Sequence, residues 1–363
     1  MSQAHKPPVP LRDMLQAMIT QDASDLYLAA KAKPKFSLQG NFVDAAEAEL
    51  TEEDTSSYAQ ELMSPDQKEE FRREMEVNLA FATGEEGRFR VNIFTQRGSV
   101  AIVIRRIKVT IPKLEELGLP PLLGELIMQD RGLLLMTGAT GSGKSTTLAA
   151  MIDYRNERLG GHIVTIEDPI EFVHAAKQSV IVHREVGDHT ASFAAALKGA
   201  MRHDPDIILL GEMRELETMK LALSCASMGM LVFGTLHTNN APKTIDRIIN
   251  AFPAEEQNQV RVMLASCLAG VVAQLLCKRV PRGRVAVHEI LLPHEALANT
   301  IRSGMIANIR GIIEAGTADG MISMDGSLLR VLNEGLITPE EAYAKAANKA
   351  LFTPFLGTVP AAH

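Results

Sequence analysis

The chain has 363 residues, of which 46% are hydrophobic and 22% are charged. This balance is typical of globular domains and excludes a disordered or fibrous chain, and the length predicts about two domains. Three cysteines, Cys225, Cys267 and Cys277, form no CxxC pair, which excludes a disulfide scaffold and a cysteine-ligated zinc site. The formal net charge of −7 argues against a general nucleic-acid-binding protein.

The charge is unevenly distributed along the chain. The segment from Gly87 to Lys113, called the basic strip below, has seven basic residues and no acidic residue. Its basic residues are Arg88, Arg90, Arg97, Arg105, Arg106, Lys108 and Lys113. The composition alone assigns no target to this concentration of positive charge.

The first elements along the chain predict an α+β domain. Apolar residues recur at helical spacing over 11–19, and alternating patterns predict strands at DLYLAA and KFSLQGNFV, with a tight turn at Gly40. Two short helices follow. The second begins with a capping box formed by Ser64 and Gln67. Three further strands are predicted at NLAFAT, RFRVNIF and SVAIVIRRI.

The pattern then changes to that of an α/β domain. Three prolines and a glycine in residues 111–121 predict a linker between one domain over 1–110 and another over 122–363. GLLLMTG, HIVTIED, SVIVHRE, DIILLGE and LVFGTL are short apolar runs, mostly separated by helical stretches, which predicts a buried parallel sheet. Beyond residue 254 we expect mostly helix, including an apolar helix over Met263–Cys277, one strand at RVAVHEILL and a late helix beginning at Thr338.

We expect a cytoplasmic chain. The N-terminal residues MSQAHKPPVPLRDML lack the apolar core of a signal peptide. The longest apolar stretch is shorter than the roughly 18 residues that a bilayer span requires. Any association with a membrane would therefore come through a partner.

Residues 138–145 match the phosphate-binding pattern GxxxxGK[ST] in full, between an apolar strand and a helix-forming run. Glycines let backbone N–H groups turn toward an anion, and the helix N-terminus adds a partial positive charge. We expect Lys144 to reach the β- and γ-phosphates and Ser145 to bind Mg²⁺. The nucleotide-binding candidates are Gly138, Thr140, Gly141, Ser142, Gly143, Lys144, Ser145 and Thr146.

Acidic residues and a histidine follow three of the predicted strands. Glu212 ends the strand IILLG, at the carboxyl edge where open α/β sheets bind ligands, in the Walker B position. Glu167, Asp168 and Glu171 follow another strand, and His237 follows LVFGTL. Three carboxylates at one strand end favour a functional role, although each taken singly fits a solvated loop equally well. His237 could sense the γ-phosphate or be structural.

Nine blocks in this order resemble the type IV pilus retraction ATPases, the PilT/PilU-like branch of the secretion-ATPase superfamily of P-loop NTPases. The blocks are RFRVNIF, LEELGLP, GATGSGKSTTLAAMIDY, TIEDPIEFVH, REVG, DPDIILLGEMRELETM, GTLHTNNAPKTIDRI, FPAEEQNQVR and AVHEIL. The resemblance implies a PAS-like N-terminal domain and a RecA-like ATPase domain, assembled as a homohexameric ring. It also implies that Glu171 is the general base, that Glu212 is the Walker B glutamate, which helps hold Mg²⁺ partly through water, and that His237 is the TLH histidine.

The same resemblance gives the basic strip a target. It implies that arginines of the N-terminal domain contact phosphates at the subunit junction. Arg90 and Arg105 fit this role best, and Arg97 and Arg88 fit it less well. An arginine supplied by a neighbouring subunit would make hydrolysis depend on assembly.

Two positions depart from the family pattern. Met230 stands where the family has the first histidine of its His box, which puts the coupling of nucleotide state to subunit motion in doubt. Ala298 stands where the retraction family has the first arginine of its AIRNLIR helix, which puts contact with the pilus base in doubt.

The leading hypothesis is a hexameric motor that hydrolyses Mg-ATP to drive type IV pilus retraction, for twitching motility or DNA uptake. Its alternatives are a weakly active PilU-like accessory paralogue acting on a partner retraction hexamer, and a pilus-assembly or type II secretion ATPase. A RecA-like nucleic-acid translocase ranks last, because few aromatic residues interrupt the basic strip.

The expected cofactors are ATP and Mg²⁺. The expected partners are the other copies of a homohexamer, the pilus inner-membrane platform protein and a PilT/PilU paralogue, with no direct nucleic acid. The expected location is cytoplasmic, peripheral to the inner membrane at the pilus base.

Overall fold

The structure is a computed structural model that describes residues 7–38, 41–83, 87–107 and 110–356. Contacts divide the chain into two compact units, Met1–Thr110 and Ile111–His363. Each unit has its own hydrophobic core. Within the described ranges, no helix is both long and apolar enough to cross a bilayer.

The first unit is an antiparallel sheet with three helices. The helices are α1 (Leu11–Thr20), α2 (Glu52–Leu62) and α3 (Pro65–Glu74), and the strands are β1 (Asp25–Ala29), β2 (Lys35–Leu38), β3 (Asn41–Asp44), β4 (Glu76–Thr83), β5 (Gly87–Gln96) and β6 (Ser99–Ile107). The strand order is β3-β2-β1-β6-β5-β4. The predicted α+β content and the capping box of Ser64 and Gln67 are confirmed. The predicted turn at Gly40 lies outside the described residues.

Alternation along β5 sets the exposure of the basic strip. Phe89, Val91 and Ile93 point into the core of the first unit and are completely buried. Arg88 and Arg90 alternate with Phe89 and Val91 and are exposed on the opposite face of the strand. The period-two pattern that makes this segment a strand therefore also displays its arginines.

The second unit is an α/β domain on a seven-stranded sheet. Its strands are β7 (Gly132–Thr137), β8 (Gly161–Glu167), β9 (Ser179–Glu185), β10 (Ile207–Leu210), β11 (Leu231–Leu236), β12 (Leu268–Lys278) and β13 (Arg284–Leu291). The order is β13-β12-β7-β11-β10-β8-β9, and only the β12–β13 pair is antiparallel. Three strands, β7, β10 and β11, are buried along their whole length, as a sheet covered on both faces requires.

Ten α-helices accompany this sheet among the described residues. They are α4 (Leu122–Ile127), α5 (Lys144–Arg158), α6 (Phe193–Ala200), α7 (Leu216–Ser227), α8 (Ala241–Asn250), α9 (Gln257–Cys267), α10 (Glu295–Ser303), α11 (Ile309–Ala315), α12 (Met324–Asn333) and α13 (Pro339–Lys345). The late helix predicted to begin at Thr338 is α13, with the Thr338 hydroxyl accepting from the backbone N–H of Glu341.

The predicted apolar helix over Met263–Cys277 is wrong beyond Cys267. Helix α9 ends there, and the chain continues as β12, which pairs with β7 on one side and β13 on the other. A short apolar run fits a buried helix and a buried strand equally well, so only the pairing with distant strands decides between them.

The segment predicted as a linker, residues 111–121, lies within the second unit. Leu114 and Leu119 are buried there, in the same cluster as Leu123 of α4 and Leu148 of α5. Prolines interrupt helices and strands but do not prevent packing, so this segment is an irregular part of the second unit whose leucines are buried.

Candidate functional site

The phosphate-binding motif forms the loop between β7 and α5, residues 138–143. Gly138, Gly141 and Gly143 have φ values of 150°, 77° and 86°, which residues with a side chain rarely adopt. A Cβ at Gly138 would also lie 2.3 Å from the carbonyl oxygen of Gln274. The backbone therefore requires glycine where the motif has it.

The other loop candidates differ in exposure. Thr140 is exposed beside Gly141 at the tip of the loop. Ser142 is buried, and its hydroxyl has no hydrogen-bond partner among the described residues. Ser145 and Thr146 are half-buried on the first turn of α5.

The motif lysine is buried at the start of α5. Its ammonium group donates to the carbonyl oxygens of Gly138 at 2.7 Å and Ala139 at 3.1 Å. Burial lowers the pKa of Lys144, while the charges of Glu171 and Glu212 raise it. The structure thus brings the three predicted residues Lys144, Glu171 and Glu212 to one edge of the sheet.

Glu212 and His237 follow the adjacent parallel strands β10 and β11. Nε2 of His237 lies 3.0 Å from Oε1 of Glu212, and the guanidinium of Arg214 donates to the same oxygen. The predicted acid and histidine are therefore in direct contact. Arg214 is an addition to the predicted site residues: the sequence analysis included it in the block DPDIILLGEMRELETM but gave it no role.

Two carboxylates hold the turn that carries Glu171. Oε2 of Glu167 accepts from the backbone N–H of Glu171 at 3.3 Å, and Oε2 of Glu185 accepts from that of Ile170 at 3.1 Å. Burial raises the pKa of Glu167 to about 7, although hydrogen bonds from Thr165 and from the Glu171 backbone lower it. Glu167 thus anchors the turn, and the side chain of Glu171 is exposed.

The oxygen atoms available as metal ligands at this edge of the sheet suit Mg²⁺. Ser145 lines a small cavity together with Glu167 and Gly211, the residue before Glu212. In the described ranges, no group of three or more His, Cys, Asp or Glu side chains could hold a metal ion. Mg²⁺ keeps several waters and takes one or two protein ligands beside phosphate oxygens, so the hydroxyl of Ser145 and the carboxylate of Glu212 fit it.

A larger cavity of about 280 Å³ adjoins the first turn of α5. Its walls combine aliphatic residues with Thr146 and Thr147, a lining suited to a flat ring beside bound phosphates. Leu276 and Arg284, from β12 and β13, were not predicted, because these strands lie far from the motif in sequence. The lining residues are Leu117, Leu119, Gly143, Thr146, Thr147, Gln274, Leu276, Arg284 and Ala286.

A buried polar group beside the loop was also missed. Nε2 of Gln274 donates to the carbonyl oxygen of Ser142 at 2.8 Å. Its Oε1 accepts from the hydroxyl of Thr147 at 2.8 Å and lies 3.0 Å from Nε2 of His288. The available signal was Gln274 itself, a polar residue within an otherwise apolar run.

The predicted phosphate-contacting arginines lie on the sheet of the first unit. Arg90 and Arg105 are cross-strand partners on β5 and β6. Nε of Arg105 donates to Oδ1 of Asp25 at 2.7 Å, whereas the side chain of Arg90 is exposed and makes no hydrogen bond or ion pair within the described ranges. Arg97 is exposed in the turn between the two strands. Lys108 of the basic strip lies outside the described residues.

The two departures from the family pattern lie at different elements. Met230 immediately precedes β11 and packs half-buried against the apolar core. The histidine that contacts Glu212 is His237, which follows the other end of the same strand. Ala298 lies on α10 beside a surface cavity that His294 also lines.

All three cysteines are buried free thiols. Burial raises the pKa values of Cys225, Cys267 and Cys277 to about 11.

The chain is similar to known proteins over nearly its whole length. The family model described as "Type II/IV secretion system protein" matches residues 4–321. A twitching motility protein of Neisseria gonorrhoeae is 44% identical over 92% of this chain and 90% of that protein. A type IV pilus retractation ATPase of Pseudomonas aeruginosa, PilT, is 43% identical over 93% of this chain and 98% of that protein.

A solved structure shares the fold. The crystal structure of the pilus retraction motor PilT with bound ADP matches with a TM-score of 0.89 and 40% identity, over 94% of this chain and 98% of that one. This match confirms the predicted fold class.

Proposed function

This chain belongs to the type II/IV secretion system protein family, and on that premise we propose that it is an ATP-hydrolysing motor that drives type IV pilus retraction. The observation that carries the proposal is the sheet edge where Lys144, Glu171 and Glu212 meet beside a complete phosphate loop. The similarity to pilus retraction ATPases extends over more than nine-tenths of the chain, which supports the same function.

Each group at the edge has a role in hydrolysis. The loop amides and Lys144 bind the β- and γ-phosphates. Glu171, whose side chain is exposed, takes a proton from the water that attacks the γ-phosphorus, and the bond from that phosphorus to the ADP oxygen breaks. Ser145 and Glu212 would hold Mg²⁺, partly through water. That ion, when bound, offsets phosphate charge.

His237 is the candidate sensor of nucleotide state. Its Nε2 contacts Glu212, so a change in charge at the γ-phosphate position reaches β11 through one hydrogen bond. The half-buried side chain of Met230 at the start of the same strand has no titratable group, so His237 performs the sensing without a second histidine.

The assembly proposed for the motor is a homohexamer in which arginines complete the neighbouring nucleotide site. Arg90 is the first candidate, since it is exposed and unpaired within the described ranges. Arg105 is second, because its guanidinium already pairs with Asp25, and Arg97 is third. The proposed partner at the membrane is the pilus platform protein, with the motor cytoplasmic and peripheral to it.

Deletion of the gene tests the direction of the motor. We expect a deletion strain to carry excess pili and to lack twitching motility, measured by pilus counts and by colony expansion. Complementation with the wild-type gene should restore both. Deletion cells without pili would show that the chain assembles pili instead.

A second candidate function is an accessory retraction ATPase that acts on a partner hexamer. The departures at Met230 and Ala298 favour it. ATP turnover of the purified protein, alone and with its paralogue, separates the two. Turnover that appears only with the paralogue and is unchanged by Glu212→Ala would assign the accessory role.

A further inference from the structure

One residue of β12 contacts both ends of the phosphate loop. A Cβ added to Gly138 would lie 2.3 Å from the main-chain oxygen of Gln274, and a Cβ added to Gly143 would lie 2.9 Å from its Nε2. Gln274 itself is 3% exposed. The two ends of the loop therefore lie against the main chain and the side chain of one buried residue, about 130 residues away in sequence.

The side chain of Gln274 sets the direction of one peptide of the loop. Its Nε2 donates to the carbonyl oxygen of Ser142 at 2.8 Å. The Ser142–Gly143 peptide is trans, and the C=O and N–H of a trans peptide point in opposite directions. The N–H of Gly143 therefore points away from Gln274. A backbone N–H that is already oriented before the nucleotide binds lowers the free-energy cost of reorganising the loop on binding.

His288 sets the orientation of that amide. The Oε1 atom of Gln274 lies 3.0 Å from Nε2 of His288 and accepts from the hydroxyl of Thr147 at 2.8 Å. His288 is completely buried, and burial lowers its pKa to about 4, so the ring is neutral at pH 7 and carries one N–H. Because Oε1 is an acceptor, that proton lies on Nε2, while Nδ1 has no partner among the described residues.

Rotating the amide by half a turn would break this arrangement. The NH₂ group of Gln274 would face the N–H of His288, and its oxygen would face the carbonyl of Ser142. Both new pairs repel, and neither group can reach water from a buried position. The carbonyl of Ser142 and the N–H of His288 thus favour the same amide orientation, the one that holds the loop.

We propose that Gln274 and His288 are positioning residues for nucleotide binding: His288 orients the amide of Gln274, and Gln274 holds the Ser142–Gly143 peptide so that its N–H faces the phosphates. This inference rests on the proposed assignment of the loop as the nucleotide site. Neither side chain touches the reacting atoms, so both act through the loop.

The test measures the Kd for ADP by calorimetry and the kinetics of ATP hydrolysis on the full chain. Gln274→Met, which keeps the volume but removes the hydrogen bonds, should raise the Kd about 10-fold. The KM for ATP should rise in parallel, while kcat at saturating ATP stays within about three-fold, since the loop binds ground state and transition state alike.

The histidine provides a rescue experiment. His288→Gln can donate from its amide in place of Nε2, so we expect its Kd for ADP to stay within about three-fold of wild type. His288→Leu removes the donor and should weaken ADP binding as Gln274→Met does. Equal Kd values for His288→Gln and His288→Leu would overturn the proposal, and this comparison stands even if Gln274→Met fails to fold.

A matched control separates positioning from stability. Asn156 is a fully buried amide at the other end of α5, with hydrogen bonds to the backbones of Ala175, Lys177 and Ser179. Asn156→Leu should lower the melting temperature without changing the Kd for ADP. A folded Gln274→Met with an unchanged Kd would overturn the positioning role. Unchanged ADP binding in Lys144→Ala would instead overturn the nucleotide-site assignment itself.

Discussion

Glu167 and Glu171 lie on the same turn, but their surroundings give them different properties. Glu167 is enclosed at the end of β8, and burial raises its pKa to about 7. Glu171 extends its side chain into solvent, and its backbone N–H donates to Glu167. One carboxyl group holds the turn, and the other is placed where a water molecule can reach it.

Replacement of Glu171 by Gln should abolish most turnover. The amide keeps the shape of the side chain but cannot accept a proton, so we expect kcat to fall about 10²- to 10⁴-fold. Binding of ADP should change little, which calorimetry would measure. Asp188→Asn, at an exposed carboxylate after β9, is the control and should keep full turnover. Full turnover in Glu171→Gln would show that Glu171 is not the general base and that another carboxylate has this role.

The raised pKa of Glu167 predicts a pH-dependent cost to stability. The folded chain holds this proton up to about pH 7, whereas the unfolded chain releases it near pH 4.5. Between these values the folded state binds more protons, so the contribution of Glu167 to stability falls as pH rises and stays at its lowest above pH 7.

Glu167→Gln should remove this dependence, because its amide still accepts from the Glu171 backbone but does not ionise. Relative to wild type, we expect the variant to gain about 2 kcal/mol in free energy of unfolding between pH 5 and pH 8. Urea denaturation at the two pH values measures this. Glu334→Gln, at the exposed residue that follows α12, should show no such gain. A parallel response of the two variants would contradict the assigned burial.

The residues of the site differ in how far the sequence could predict them. The loop from Gly138 to Ser145 was predictable, because its sequence pattern is contiguous and lies between an apolar strand and a helix-forming run. Glu212 and His237 were predictable because both end apolar strands of a parallel sheet. Glu185, Gln274 and His288 were not, since only the pairing of strands distant in sequence brings them to the site.

At the scale of elements, β12 shows where periodicity fails. Both faces of the strand are packed, since the successive residues Val271 and Val272 lie in different apolar clusters. No alternation marks such a strand, and α9 leads directly into it. Gly270 and the adjacent Val271 and Val272 were the residues that disfavoured a helix there. The amphipathic strands of the first unit were predicted because one face of each is more exposed.

Helix α2 offers a test of local stabilisation. The hydroxyl of Thr51 accepts from the backbone N–H of Asp54, and the Asp54 carboxylate accepts from that of Thr51, a complete capping box. The helix buries Tyr58 and Leu62, so its stability is coupled to the core. Thr51→Ala should cost about 1 kcal/mol in free energy of unfolding.

Ser56→Ala is the matched control for that cap. Ser56 lies in the interior of the same helix, where alanine has the higher helix propensity, so the change should be neutral or slightly stabilising. Denaturant unfolding of both variants gives the comparison. Equal destabilisation by the two substitutions would show that the cap contributes nothing specific.

At the scale of the whole molecule, the basic strip divides into two groups. Arg105 and Arg106 form ion pairs with Asp25 and Asp22, within the first unit. Arg90 has no such partner among the described residues. The net charge of −7 does not show this division, and among the described residues the arginines of the strip without an ion pair lie on β5 and the turn after it.

A mixing experiment tests whether Arg90 acts on a neighbouring subunit. Arg90→Ala should bind ADP normally but lose roughly 10³-fold in turnover, and Lys144→Ala should lose nucleotide binding. In rings mixed from both variants, some junctions combine an intact loop with an intact arginine. About a quarter of the junctions in an equal mixture should then regain turnover.

The mixture recovers nothing if the arginine acts within its own subunit. Arg12→Ala, an exposed arginine of α1 outside the basic strip, should keep full activity alone. Unchanged turnover in both Arg90→Ala and Arg105→Ala would remove the arginines from the mechanism.

The buried thiols have a practical consequence for studying motion in this chain. Cys225, Cys267 and Cys277 are protonated at neutral pH and enclosed, so alkylating dyes meet no thiolate there. A single cysteine introduced on an exposed position, such as Met228, would be the only fast-reacting thiol among the described residues. Fluorophore pairs can therefore be attached to the natural sequence without first replacing its cysteines, and distances within a working assembly become measurable.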